Sequence, residues 1–152
     1  MQTVGNLVVF VLGGKRCALR LSAVERVLRA VAVTPLTEAS ARIIGVVAMP
    51  GRVLPVVDLR PCLGLPRKEI ELSDRFLVAH TSRTSLIVLA DTVEGVIEYE
   101  PGALVPVRRI LPQAASVDGI VCFSDGLSYI HALDTFLALG GEAALSSNAL
   151  RA

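Results

Sequence analysis

Residues 43–65 read IIGVVAMPGRVLPVVDLRPCLGL, and the fold is decided by how this stretch is read. Two apolar runs rich in Val and Ile flank Pro50-Gly51. Branched side chains favour extended backbone, and a Pro-Gly pair reverses the chain, so the stretch predicts a strand, a tight turn and a second strand. Asp58 follows at once. Its carboxylate can accept amide hydrogen bonds at the start of Leu59–Leu63 and meets the positive end of a short helical segment, so a structural cap is expected there.

The composition around this hairpin sets bounds. The chain has 152 residues, one domain's worth, and is 53% hydrophobic, ample for a packed core. Trp is absent and aromatics make up 4%, so the core must come from Val, Leu, Ile and Ala. A mainly β fold follows. The formal net charge is +1 and the charges are scattered, which gives no electrostatic footprint for nucleic acid. The N-terminal residues MQTVGNLVVFVLGGKR lack the basic start and small-residue cleavage pattern of a signal peptide. Every apolar run is interrupted well short of the roughly 18 to 20 residues a spanning helix needs. Cys17, Cys62 and Cys122 are odd in number and widely spaced, which argues against a disulfide framework or paired zinc ligands. A soluble cytoplasmic protein without metal or cofactor is the expectation.

Outward from the hairpin, the order of elements repeats. Leu7–Leu12 and Cys17–Leu21 predict strands about a Gly13-Gly14 turn, and Ser22 with Glu25 has the spacing of a capping box, predicting a helical turn over Ala23–Val27. Val31–Thr34 should be extended up to Pro35. In the second half, Arg75–Thr81 and Thr84–Leu89 predict strands, and Asp91 a capped turn over Val93-Glu94-Gly95-Val96, the counterpart of Val24-Glu25-Arg26-Val27. Ile44–Leu59 likewise parallels Asp118–Thr135, with turns at Gly51 and Gly126 and a last helix ending near Leu139-Gly140-Gly141. An offset of about 70 residues is too long for a solenoid. Strands this short are best protected by curling groups of about five into two small barrels, approximately residues 14–70 and 71–140 plus the N-terminal strand, packed on a shared apolar interface.

Catalytic chemistry has little to stand on. His80 falls in strand register with Phe76 and Val78 and is expected to pack beside them. His131 is placed near the start of the last helix, three residues before Asp134. A Cys122, His131, Asp58 hydrolase can be assembled on paper, but Cys122 sits in an apolar strand where a thiol is a small inert hydrophobe. The paired glycines at 13–14 and 140–141 carry no following Lys-Ser/Thr and make no phosphate loop. No catalytic residue is assigned. Arg60 and Arg52 are either solvated charges or partner anchors, Arg52 being the better placed beside the turn.

The same stretch resembles the signature of the CheW family of chemotaxis coupling proteins, Gly-Val-x-Asn-Leu-Arg-Gly-x-Val-x-Pro-Val-x-Asp-Leu-Arg. Gly45, Val46, Gly51, Val53, Pro55, Val56, Asp58, Leu59 and Arg60 match, whereas Ala48, Met49 and Pro50 replace Asn-Leu-Arg. Phe10-x-Leu12-Gly13, Leu21-x-x-Val24-x-x-Val27 and Ile87–Val96 extend the likeness over nearly the whole chain. The resemblance implies two SH3-like five-stranded barrels with short helices, no enzymatic activity, and a scaffold role. Its partners would be the regulatory domain of a CheA-type histidine kinase and the cytoplasmic tip of a methyl-accepting chemoreceptor. Carried over by position, the partner-binding residues are Val27, Val33, Ile44, Val46, Ala48, Met49, Pro50, Gly51 and Arg52. The changed residues at 48–50 raise a second reading, an adaptor of this fold with altered partners, an array-filling or inhibitory subunit or one serving a non-chemotactic output such as surface motility. A small cysteine hydrolase is the distant alternative.

Overall fold

The computed structural model describes residues 5–36, 43–106, 117–123, 126–131 and 133. Eleven strands run through them: β1 (Gly5–Leu12), β2 (Lys15–Arg20), β3 (Val24–Arg29), β4 (Ile43–Met49), β5 (Arg52–Val57), β6 (Arg75–His80), β7 (Ser85–Ala90), β8 (Thr92–Tyr99), β9 (Leu104–Pro106), β10 (Val117–Phe123) and β11 (Gly126–His131). Single 3₁₀ turns lie between them at Leu21–Ala23, Arg60–Leu63 and Pro101–Ala103. The strands form two mixed sheets, β8-β1-β2-β11-β10-β9 and β3-β6-β7-β5-β4.

The fold is mainly β, and the repeat is visible in its registers. In the first sheet Val9 faces Gly95 and Phe10 faces Val93, so the ladder passes over Glu94. In the second, Val78 faces Arg26 and Ala79 faces Val24, and Glu25 is passed over. A shift of about 69 positions carries each pair onto its counterpart, bulge included. The parallel contacts correspond as well: Ile130 with Ala18, and Val56 with Ile87.

The sheets are nevertheless not the two halves of the sequence. Each takes its central hairpin from one half and its flanking strands from the other, so β1-β2 sits among β8, β10 and β11, while β6-β7 sits among β3, β4 and β5. A division near residue 70 therefore cuts through both sheets. The reason lies in the hairpins, whose residues are apolar on both faces and need cover on both. Leu7, Val9 and Ala18 point into the first sheet's own core, and Phe76, Val78, Ile87 and Leu89 into the second's. The alternate residues, Val8, Phe10, Leu12, Cys17 and Leu19 from one hairpin and Leu77, Ala79, Leu86, Val88 and Ala90 from the other, meet between the sheets.

Each sheet curls back through the chain. β8 leads by one 3₁₀ turn into β9 at the opposite edge, and the continuation of β3 returns to β4 at Thr34, which exchanges both backbone hydrogen bonds with Val46 at 2.9 Å. Among the described residues the hydrogen-bonded ladders themselves remain open. Gly45 permits the return, because a Cβ there would lie 2.3 Å from the Thr34 carbonyl oxygen, and Gly119 does the same beside Leu104 and Val105.

Several local expectations are corrected. Ser22 and Glu25 form no capping box; the 3₁₀ turn ends at Ala23, and Val24–Arg29 is strand, with Glu25 bound to Arg52 and Ser85 instead. Thr92–Tyr99 is one strand where a turn after Asp91 was expected. In both cases the ladder to a distant hairpin outweighs one local turn. His80 is exposed at the end of β6, and Cys122 is exposed while Cys17 is buried. His131 ends β11, and Leu133, two residues on, is helical, so it does lie near a helix start as expected. Asp134, the helix end at Leu139 and the tail lie outside the described residues.

His131 is 3% exposed beside Phe10, at the repeat position that Val57 holds in the second sheet. Among the described residues neither ring nitrogen has a hydrogen-bond partner. Burial lowers its pKa from 6.5 to about 4. The unfolded chain therefore binds the proton first, and stability should fall as pH is lowered from about 6.5 to 4, by on the order of 3 kcal/mol. Urea midpoints across that range should show this slope, and His131→Val should flatten it.

Candidate protein-interaction site

The latter part of the 43–65 stretch is used inside the molecule. Val56, Val57, Asp58, Leu59 and Arg60 are all buried. The Arg60 amide donates to Asp58 Oδ1 at 3.0 Å, so the carboxylate caps this turn from two residues away while Leu59 holds the formal cap position. The Arg60 guanidinium is not a solvated charge. It is 3% exposed, its Nη2 donates to Asp91 Oδ1, and its Nη1 lies 3.9 Å from Asp58 Oδ1.

Asp91 is the hub. It sits where the chain passes from β7 in one sheet to β8 in the other, accepts the Gly13 amide of the β1-β2 turn at 2.8 Å, and lies 3.5 Å from Lys68. Burial pushes its carboxyl up, but the Gly13 hydrogen bond, Arg60 and Lys68 together hold it below the usual carboxylate range. Lys68 also donates to Asp74 at 3.0 Å.

The surface is formed by what precedes this network. Ala48, Pro50, Gly51 and Arg52 are exposed at the apex of the β4-β5 hairpin. Met49 and Ile44 are half-buried against the second sheet's core, and Val46 is held by its bridge to Thr34. Arg52 donates to Glu25 Oε2 at 2.7 Å and lies 3.4 Å from Ser85, so its charge is already matched within the protein. That hydrogen bond, with the Arg52 charge, holds the Glu25 carboxyl below its usual range. Val27, 40% exposed, belongs to β3 at the other edge of the sheet.

Sequence reasoning missed a groove of about 490 Å³ between residues 30–35 and 68–72. Val33 and Ile44 reach it from the expected set; its remaining apolar lining includes Val31, Ile70 and Leu72. Leu72 is 87% exposed, in a loop with no strand or helix periodicity to mark it.

The paper triad is dispersed. Cys122 is exposed opposite Leu127, His131 is buried at the far end of β11 opposite Val117, and Asp58 is committed to Arg60. Burial pushes the Cys17 thiol up to about 12, far from a thiolate. Among the described residues no cluster of His, Cys, Asp and Glu is placed to hold a metal ion, and no helix is long and apolar enough to cross a membrane.

This architecture, with the 43–60 motif at its centre, agrees with the family comparison: the CheW-like domain matches residues 6–139. The chain belongs to the CheW-like domain family. Among solved structures it is similar to the scaffolding protein TtCheW from Thermoanaerobacter tengcongensis, with a TM-score of 0.81 at 23% identity, over 93% of this chain and 96% of that one. No curated protein matches the sequence. For this CheW-like chain the Asp-Leu-Arg end of the signature is thus a structural device, whereas its apex is exposed.

Removing one member of a buried ion pair typically costs about 3–5 kcal/mol. Asp91 keeps Gly13 and Lys68 when Arg60 is lost, so Arg60→Met should cost about 3 kcal/mol in urea unfolding, the low end of that range. Arg60→Met with Asp91→Leu should cost clearly less than the sum of the single changes, since both remove one interaction. Additive effects would show that the pair is not coupled.

Proposed function

We propose that this chain is a non-enzymatic adaptor that couples chemoreceptors to a CheA-type histidine kinase on the cytoplasmic side of a chemosensory system. The observation that carries this reading is the CheW-like domain matched over residues 6–139, nearly the whole chain. The similarity to a scaffolding protein supports the fold of such a role. Docking would rest on the β4-β5 apex, with apolar contact from Ala48, Met49 and Pro50 at its centre.

A second reading, an adaptor with altered partners, is favoured by one specific feature of the apex. Where the family resemblance expects Asn and Arg, Ala48 and Pro50 offer no hydrogen bond, and Arg52 is already paired to Glu25. A charge-assisted hydrogen bond to a partner contributes on the order of 1.5–3 kcal/mol, so its loss weakens binding roughly ten- to a hundredfold.

The two readings separate in a pulldown with the regulatory domains of CheA-type kinases and receptor tips from the source organism. Ala48→Asp, at an exposed position, should abolish capture of the true partner, and Met49→Asp should do so with some loss of stability. Ala48→Asn with Pro50→Arg should strengthen binding to standard family partners at least severalfold if the apex is the contact surface. Unchanged capture of every partner by a folded Ala48→Asp variant would remove the apex from the site.

A further inference from the structure

The internal repeat supplies its own control for the outer end of β3. By the shift that relates the two bulges, Arg29 facing Arg75 in the second sheet corresponds to Glu98 facing Asn6 in the first. The shared register therefore does not require two positive charges here. The Ala30 amide donates to the Asp74 carbonyl at 3.1 Å, so the pair one step inward, Arg29 and Arg75, is of the kind that exchanges no backbone hydrogen bonds and brings its side chains closest. Like charges directly opposite each other destabilise a sheet. Among the described residues nothing offsets them. Arg29 is exposed, neither arginine forms an ion pair with a described carboxylate, and Asp74, next to Arg75 in the chain, spends its own carboxylate on Lys68 and the Glu71 amide.

Arg75 is fixed in place without being neutralised. Its Nη1 donates to the Ser73 carbonyl at 2.7 Å and to the Asp74 carbonyl at 3.1 Å. Two residues back along β3, on the same face as Arg29, Val27 stands opposite Leu77; Leu77 is buried in the core between the sheets, and Val27 is left 40% exposed. A segment that covers Val27 with an apolar side chain therefore brings its neighbouring group against two arginines without a counter-ion, one of them already held in position. We infer that Arg29 and Arg75 form a carboxylate-binding site, which takes a glutamate or aspartate side chain of a partner protein next to an apolar one. Two guanidinium groups side by side can donate N–H bonds to both oxygens of one carboxylate. The site lies on the β3-β6 ladder, goes beyond the reading of the β4-β5 apex, and stands whether or not the apex binds.

The test uses the full chain with three tripeptides blocked at both ends, Leu-X-Leu with glutamate, glutamine or lysine at X, and with inorganic phosphate. Amide chemical shifts should move at Val27, Leu28, Arg29, Arg75 and Phe76 and remain still at the β4-β5 apex. The glutamate peptide should bind about three- to tenfold more tightly than the glutamine peptide, the scale of a partly exposed charge-assisted contact, and the lysine peptide more weakly than either. Arg29→Glu gives Arg75 a counter-ion from within. It should abolish the preference for glutamate and raise the urea midpoint by about 0.1–0.5 M, a gain that shrinks in ~0.5 M sodium chloride as the repulsion it relieves is screened. An arginine kept for structure alone would give the opposite sign, a lower midpoint. Ala48→Asp should leave all of these responses intact. No response, equal binding of the glutamate and glutamine peptides, a preference that survives in Arg29→Glu, or a midpoint that falls in that variant would overturn the assignment. So would phosphate moving the same amides as strongly as the glutamate peptide at equal concentration, or concentration-dependent self-association that Arg29→Glu abolishes, since a phosphate group or a second copy would then be the occupant.

Discussion

Everything in this fold depends on two hairpins that are apolar on both faces. β1-β2 and β6-β7 each direct one row of side chains into a sheet and the other row at each other, so that Val8, Phe10 and Leu19 meet Leu77, Leu86 and Val88 between the sheets. A hairpin covered on one face alone would leave a row of valines and leucines in water, at roughly 1.5–3 kcal/mol for each such side chain. The exchange of hairpins between halves follows from this demand. Each hairpin is the centre of the sheet whose other strands come from the opposite half, and neither half holds a complete sheet. Units of about 70 residues are marginal alone, and interleaving makes the pair fold as one.

Polar groups enter this apolar frame where the chain changes sheet. Asp91 stands at the passage from β7 to β8 and gathers the Gly13 amide, the Arg60 guanidinium and Lys68. The interaction binds the turn of one hairpin, the end of another and the crossing between sheets into one corner. Its carboxylate, held below the usual range, is an acid-sensitive point, as is His131 beside Phe10, which is protonated at higher pH. The two bulge glutamates act at the surface. Glu25 and Glu94, thrown out of equivalent ladders, each hold an arginine, Arg52 and Arg16 respectively.

Duplication makes differences between the sheets informative. Equivalent positions share register and bulge, so a departure at one of them reflects local use and not topology. Tyr99 packs over Gly5 in one sheet where Ala30 meets Asp74 in the other; Val57 packs where His131 is buried, its ring nitrogens without a hydrogen-bond partner among the described residues. The exposed β4-β5 apex and the groove at residues 30–35 and 68–72 both belong to the second sheet.

Much of this was legible in residues 43–65 and their echo. The Pro50-Gly51 turn, the two strands about it, Asp58 at the head of a short turn, and the pairing of Val24–Val27 with Val93–Val96 all follow from local preference and spacing. Local preference also misled: Ser22 and Glu25 have the spacing of a cap, and Asp91 that of a turn, yet both segments are strands, because a ladder of several hydrogen bonds to a distant hairpin outweighs one capped turn. A mainly β, duplicated chain could be read from the residues alone, since apolar patterning, branched residues and turn signals act between near neighbours, and the resemblance of residues 45–60 to the CheW signature added the family. Which half supplies which hairpin, the burial of Arg60 on Asp91, and the groove beside Ala30 emerge only in three dimensions, because each rests on contacts between residues about 30 to 110 positions apart, whose energies no local pattern records.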